Sequence, residues 1–166
     1  MGKTFNNARH AYLKLNINKR ELSTLKGVER YKYLQYLDVS ENKLTTLNQL
    51  STIKHLIKLN ASNNLIKKMF DFAPMANLEV VDYSHNDIEV IENVGFNPYL
   101  KHLCLDDNKI KVIKDLSSNK SLTSLSLRQN QIPKIENLDH LFLEELNLSQ
   151  NEITKISGLS QLPCLK

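Results

Sequence analysis

Tryptophan is absent from the 166 residues, cysteine occurs twice, and glycine and proline occur four times each. The four glycines, Gly2, Gly27, Gly95 and Gly158, lie too far apart to build a phosphate-cradling loop or a dinucleotide-binding turn. Cys104 and Cys164 cannot form a disulfide framework, and the first twelve residues hold no apolar stretch of the kind a secretory signal needs. These two absences lead to the expectation of a reducing, intracellular compartment. The longest uncharged runs, Leu44 to Ile53 and Ile156 to Leu165, reach ten residues, too few for a membrane-spanning helix, and no membrane partner is expected. Neither a G-x-S-x-G nor an H-E-x-x-H motif occurs, and the five histidines, His10, His55, His85, His102 and His140, are scattered. No catalytic, cofactor-binding or metal-binding residue is therefore assigned, and no small-molecule substrate is expected.

What is abundant is leucine, with 28 residues, and asparagine, with 19. Leu15, Leu37, Leu59, Val81, Leu103, Leu125 and Leu146 follow one another at steps of 22 residues, the last step being 21. A common frame surrounds each, as in Leu34-x-x-Leu37-x-Val39-x-x-Asn42-x-Leu44-x-x-Leu47-x-x-Leu50, and only Leu13 and Leu65 fall off it. A period of this length signals a solenoid, in which each repeat buries its apolar side against its neighbours. The alternating L-x-L part suits a short strand with one buried face, so stacked repeats give a parallel β-sheet. Beyond the Asn the apolar spacing becomes three, which suits 3₁₀ or short helical turns better than full α-helices. The expected fold is thus an α/β solenoid, a horseshoe with the sheet on its concave face and 3₁₀ turns on its convex face. Residues 1–11 are read as an N-terminal arm or cap, 12–164 as seven repeats, and 165–166 as the start of a truncated eighth repeat belonging to a longer chain.

The frame carries an asparagine column: Asn42, Asn64, Asn86, Asn108, Asn130 and Asn151. An amide side chain both donates and accepts, so these residues are expected to form a buried ladder where each strand turns away. Arg20 occupies the column in the first repeat, as fits a terminal, capping unit.

The alternation also says which side chains face outward from the sheet. Tyr36, Asp38, Lys58, Asp82, His102, Asp106, Asp107 and Arg128 are the candidate partner-binding residues on the concave face. Asp82, Asp106 and Asp107, placed on neighbouring strands with Asp38 beyond, read as an acidic patch beside Tyr36 and His102 that fits a basic helix or tail. The outward positions and the residues before each ladder Asn together carry a net charge of −2, whereas the whole chain carries +4. Nucleic acid is disfavoured as a partner of such a face, because its binding depends on neutralising phosphates. The excess base lies on turns and the convex side, at Lys67-Lys68 and at Lys109, Lys111 and Lys114, where a solvated surface or an acidic protein partner is expected.

The 22-residue frame resembles the intracellular leucine-rich-repeat class that includes the phosphatase regulator Sds-twenty-two and many ciliary proteins. The segment His10-Ala11-Tyr12-Leu13-Lys14-Leu15, the run Lys19-Arg20-Glu21-Leu22 and the stretch from Tyr36 to Asn64 are similar to the opening of the leucine-rich-repeat proteins of the ciliary radial spoke, at the third spoke head. Leu59 to Asn64 and Val81 to Ile88 also resemble the repeat half of leucine-rich-repeat guanylate kinases. The first resemblance implies a non-catalytic structural subunit of the motile-cilium or flagellum axoneme, a cytoskeletal scaffold whose partners are radial-spoke or doublet-microtubule proteins. The alternative it leaves open is the regulatory or recognition domain of an enzyme, a phosphatase or a guanylate kinase.

Overall fold

A computed structural model describes residues 2–3, 10–114 and 116–166. Of the expected N-terminal arm, residues 1 and 4–9 lie outside the described residues, as does Asp115. Strands β1 (Gly2–Lys3) and β2 (His10–Ala11) pair antiparallel at the start of the chain. The solenoid follows. Strands β3 (Lys14–Asn16), β4 (Tyr36–Asp38), β5 (Lys58–Asn60), β6 (Val80–Asp82), β7 (His102–Cys104), β8 (Ser124–Ser126) and β9 (Glu145–Asn147) form one parallel sheet in chain order.

Each strand of the parallel sheet is three residues long and turns its middle residue inward. The seven periodic residues of the frame, from Leu15 to Leu146, are register partners from one strand to the next. The 21-residue step leaves the register intact, with Ser124 opposite Glu145. Its missing residue comes from the segment leading into β9. There buried Leu141 and Leu143 flank exposed Phe142, where the previous repeat spaces buried Asn119 and Leu122 three apart. The return segments are 3₁₀ turns at Val28–Arg30, Asn48–Thr52 and Val94–Phe96, and bends and turns elsewhere. Among the described residues none is α-helical, and no helix is long and apolar enough to cross a membrane. The three-residue spacing explains this, because side chains three apart eclipse one another on a 3₁₀ turn and so all reach one core.

That core is a single stripe of frame residues running the length of the solenoid, with Leu44, Leu47, Leu50 and Ile53 fully buried in the second repeat. The junction of the third and fourth repeats is bulkier. Tyr83, where the frame otherwise places an aliphatic side chain, is fully buried, and its hydroxyl accepts the Phe70 N–H at 3.1 Å. Phe70 meets it edge-on with ring centroids 5.5 Å apart, and Phe72 meets Phe70 in the same manner at 5.8 Å. The last repeat is less well covered: Leu146, Leu148 and Ile153 are only partly buried, and Ile156 is 83% exposed. The Lys166 N–H donates to Glu144 O at 3.2 Å, repeating the bonds by which Glu144 reaches Thr123 and Thr123 reaches Lys101.

Candidate functional site

The asparagine column ties the turns that follow the strands to one another. In each ladder residue the side-chain oxygen accepts a backbone N–H of the preceding repeat: Asn64 from Leu44, Asn86 from Ile66, Asn108 from Ile88 and Asn130 from Ile110, all at 2.9–3.0 Å. The amide nitrogen donates to one carbonyl of the preceding repeat and to two of its own turn, as Asn86 does to Ala61, Tyr83 and Ser84. Asn42 and Asn151 keep the same arrangement at the two ends, Asn42 accepting from both Arg20 and Leu22 and Asn151 from Ile132. Every rung therefore ties two successive repeats. Arg20 stands where such a side chain would reach back, and ahead of β3 the described residues pair antiparallel as β1–β2 and add no further strand to the parallel sheet.

One residue before each ladder Asn, the backbone enters the left-handed region: Lys19, Glu41, Asn63, His85, Asp107, Gln129 and Gln150 have φ between 51° and 56°. None is glycine, so each position carries conformational strain for the sake of the turn. Five of these side chains pair along the column. Lys19 bridges Glu41 at 3.2 Å, and the Asp107 carboxylate binds His85 Nδ1 at 2.6 Å while accepting from Gln129 Nε2 at 3.1 Å.

The face between the ladder and the strand starts is a grid. Its leading column, in register, reads Lys14, Tyr36, Lys58, Val80, His102, Ser124 and Glu145; its trailing column reads Asn16, Asp38, Asn60, Asp82, Cys104, Ser126 and Asn147. Neighbouring strands in such a sheet lie about 4.8 Å apart. Lys14 Nζ stands 4.8 Å from the centroid of the Tyr36 ring. Around these residues, with Lys58, Asp38 and Asp82, lies a depression of about 500 Å³.

Five of the eight candidate residues, Tyr36, Asp38, Lys58, Asp82 and His102, lie on strands of this face. The other three do not. Asp106 and Asp107 follow the end of β7 and Arg128 follows β8, because three-residue strands end before the turn that leads to the ladder. The acidic patch read from the sequence is accordingly divided. Asp82 is the register partner of Cys104, while Asp107 is engaged with His85 one column away. The carboxylates also have structural work. Asp38 Oδ1 accepts from the Ser40 N–H and hydroxyl, Asp82 Oδ1 from the Ser84 N–H, and Asp106 Oδ1 from Ser126 Oγ and the Arg128 N–H. Asn60 and Asn147 bind Ser62 and Ser149 in the same way, so the trailing column doubles as a row of turn caps. Cys104, half-buried between Asp82 and Asp106, has its thiol pushed up to about 12, by burial first and by the two carboxylates as well.

Sequence reasoning passed over the segments that lead into the strands. Tyr33 and His55 stack there with ring centroids 5.9 Å apart, and Tyr99 and Phe142 are exposed in the corresponding segments further along. Their signal was present in the frame, as a shared position just ahead of the first leucine of each strand.

Residues 76–132 match the leucine rich repeat family, and residues 140–158 match a second leucine rich repeat family. The fold is that of a leucine-rich-repeat solenoid. An internalin (InlF) from Listeria monocytogenes superposes with a TM-score of 0.85 at 29% identity, over 92% of this chain and 46% of that one. TLR13 in its complex with ssRNA13 gives 0.81 at 28% identity, over 92% and 24%. The leucine-rich-repeat protein LIC12759 of Leptospira interrogans gives 0.65 at 26% identity, over 92% and 47%. The chain thus spans less than half of the length of each of these structures. No curated protein matches it in sequence.

Proposed function

We propose that this leucine-rich-repeat solenoid is a non-catalytic scaffold for protein–protein contact, with the concave sheet as its docking face. The observation that carries the reading is the division of labour within each repeat. The core takes the middle residue of every strand and the ladder takes the Asn, leaving two outward columns, in register over seven strands, as a rigid polar surface. A preorganised surface binds without a large ordering cost. The resemblance of the first repeats to radial-spoke proteins supports our reading of the scaffold as a subunit of the motile-cilium axoneme that holds spoke or doublet-microtubule subunits together.

Cross-linking mass spectrometry on extracted axonemes tests this. The expected result is cross-links from Lys14 and Lys58, on the concave face, to radial-spoke or doublet proteins. A protein that stays in the soluble fraction, or that co-purifies with phosphatase activity, overturns the axonemal reading in favour of an enzyme regulator. Cross-links confined to the convex lysines overturn the choice of face.

A further inference from the structure

The charge of the concave face is separated by column. The strand starts of the first three repeats are basic: Lys14 and Lys58 flank Tyr36 in register, and Arg30, Lys32 and Lys54 lie in the segments that lead into β4 and β5. Between Arg30 and Tyr36, and again between Ile53 and Leu59, the chain has no acidic residue. All five cations are exposed, and among the described residues none stands within ion-pair distance of a carboxylate. Glu79, the acid at the start of the next strand, is already bound to Lys101 at 3.0 Å. Interleaved with the cations are the stacked Tyr33–His55 pair and the Tyr36 ring, apolar surface with polar tips. Two residues further along each strand, about 6.6 Å away, the trailing column turns acidic at Asp38 and Asp82.

We propose that the leading side of the first three repeats binds a carboxylate-rich peptide segment of a partner protein, lying across the strand starts. This rests on the concave face being the docking face, and it names what docks there. A row of unpaired cations beside exposed aromatic rings is complementary to an acidic chain, and Asp38 and Asp82 hold that chain to the leading side by repulsion. A nucleic-acid strand fits less well, because Asp38 and Asp82 line the same depression as Lys14 and Lys58 and would meet the evenly spaced phosphates of a wider chain. The result reverses the polarity expected from the net charge of the face, since the sum of −2 conceals two stripes of opposite sign.

Fluorescence anisotropy on the full chain, with a fluorescein-labelled deca-glutamate peptide as probe, tests the proposal. The expected result is salt-sensitive binding that weakens at least about tenfold in the Lys14→Glu/Lys58→Glu variant and is unchanged in Lys67→Glu/Lys68→Glu, which removes the same charge from the convex side. Both variants alter exposed side chains, so unchanged melting curves will show that they fold. Equal loss in the two variants overturns the site, as does absence of binding. Tighter binding of a uridine decamer than of the peptide overturns the choice of partner. Should the peptide fail while axonemal cross-links still gather at the strands, the docking face stands and only the chemistry assigned to its partner falls.

Discussion

The smallest unit of stability in this solenoid is a single amide side chain shared between two repeats. Asn86 fills one acceptor and three donor contacts with buried backbone, so Asn86→Ala strands the Ile66 N–H and should lower stability by about 1–3 kcal/mol, read from urea denaturation. From the sequence, Asp106→Ala is expected to stay within about 0.5 kcal/mol as a surface change. The structure raises that figure to about 1 kcal/mol, because Asp106 Oδ1 binds Ser126 and Arg128 of the following repeat. The left-handed column permits a second test. Gln150, exposed and at φ 56°, holds a conformation that glycine adopts freely. Gln150→Gly should leave the melting temperature unchanged or raise it, whereas Gln150→Val should be less stable than the glycine variant by about 1–2 kcal/mol. Equal stabilities would mean that the turn relaxes out of the left-handed region.

At the scale of the element, the frame and its exceptions obey the same accounting of polar groups. The seven inward strand residues and the three-spaced return residues were legible as a pattern because burial repeats with the period. Tyr83 was not legible as a structural anchor, since its role depends on Phe70, which lies off the frame and is buried all the same. Tyr83→Phe removes the acceptor of the Phe70 N–H and should cost about 1–2 kcal/mol, although the ring packing is preserved; an unchanged denaturation midpoint would show that the hydroxyl is dispensable. Cys104 in β7 yields a kinetic test. With its thiol pushed up to about 12, almost none of it is thiolate at pH 8, and its alkylation by iodoacetamide should run at least about a hundredfold slower than that of a free thiol. The same shift has a consequence for stability. Above the ordinary thiol value of 9.0 the unfolded chain releases this proton while the folded chain keeps it, so Cys104 contributes a loss of stability as pH rises from about 9 towards 12.

Over the whole molecule, each repeat touches only its neighbours, so stability is distributed along a line and should be lowest where a neighbour's cover is thin. The middle strands β5 to β7 have their inward residues at 1–2% exposure, whereas Leu146 of β9 is only partly buried and Ile156 is 83% exposed. Hydrogen exchange should therefore show the amides of β5 to β7 opening last and those of β9 and its return segment opening first. Uniform protection along the sheet would mean that the solenoid opens as one cooperative unit. The same linear build gives the concave face its charge pattern, because each strand contributes one residue to each column and a sequence preference at one frame position becomes a stripe.

By itself the sequence determined the repeat, its phase, the inward residues, the ladder and the absence of room for long helices, because each of these follows from a local period that one repeat already expresses. Only the tertiary structure decided which outward residues share a column. Asp106 and Asp107 were assigned to strands in the sequence reading, and the shortness of the strands put them in the turn instead. The division of the concave face into a basic leading stripe and an acidic trailing one had the same origin: Lys14, Tyr36 and Lys58 are 22 residues apart along the chain and become neighbours only through the register of the sheet. Net charge is a sum over the chain and survives any arrangement, whereas the field a partner meets depends on the positions of the charges, and those are set by packing.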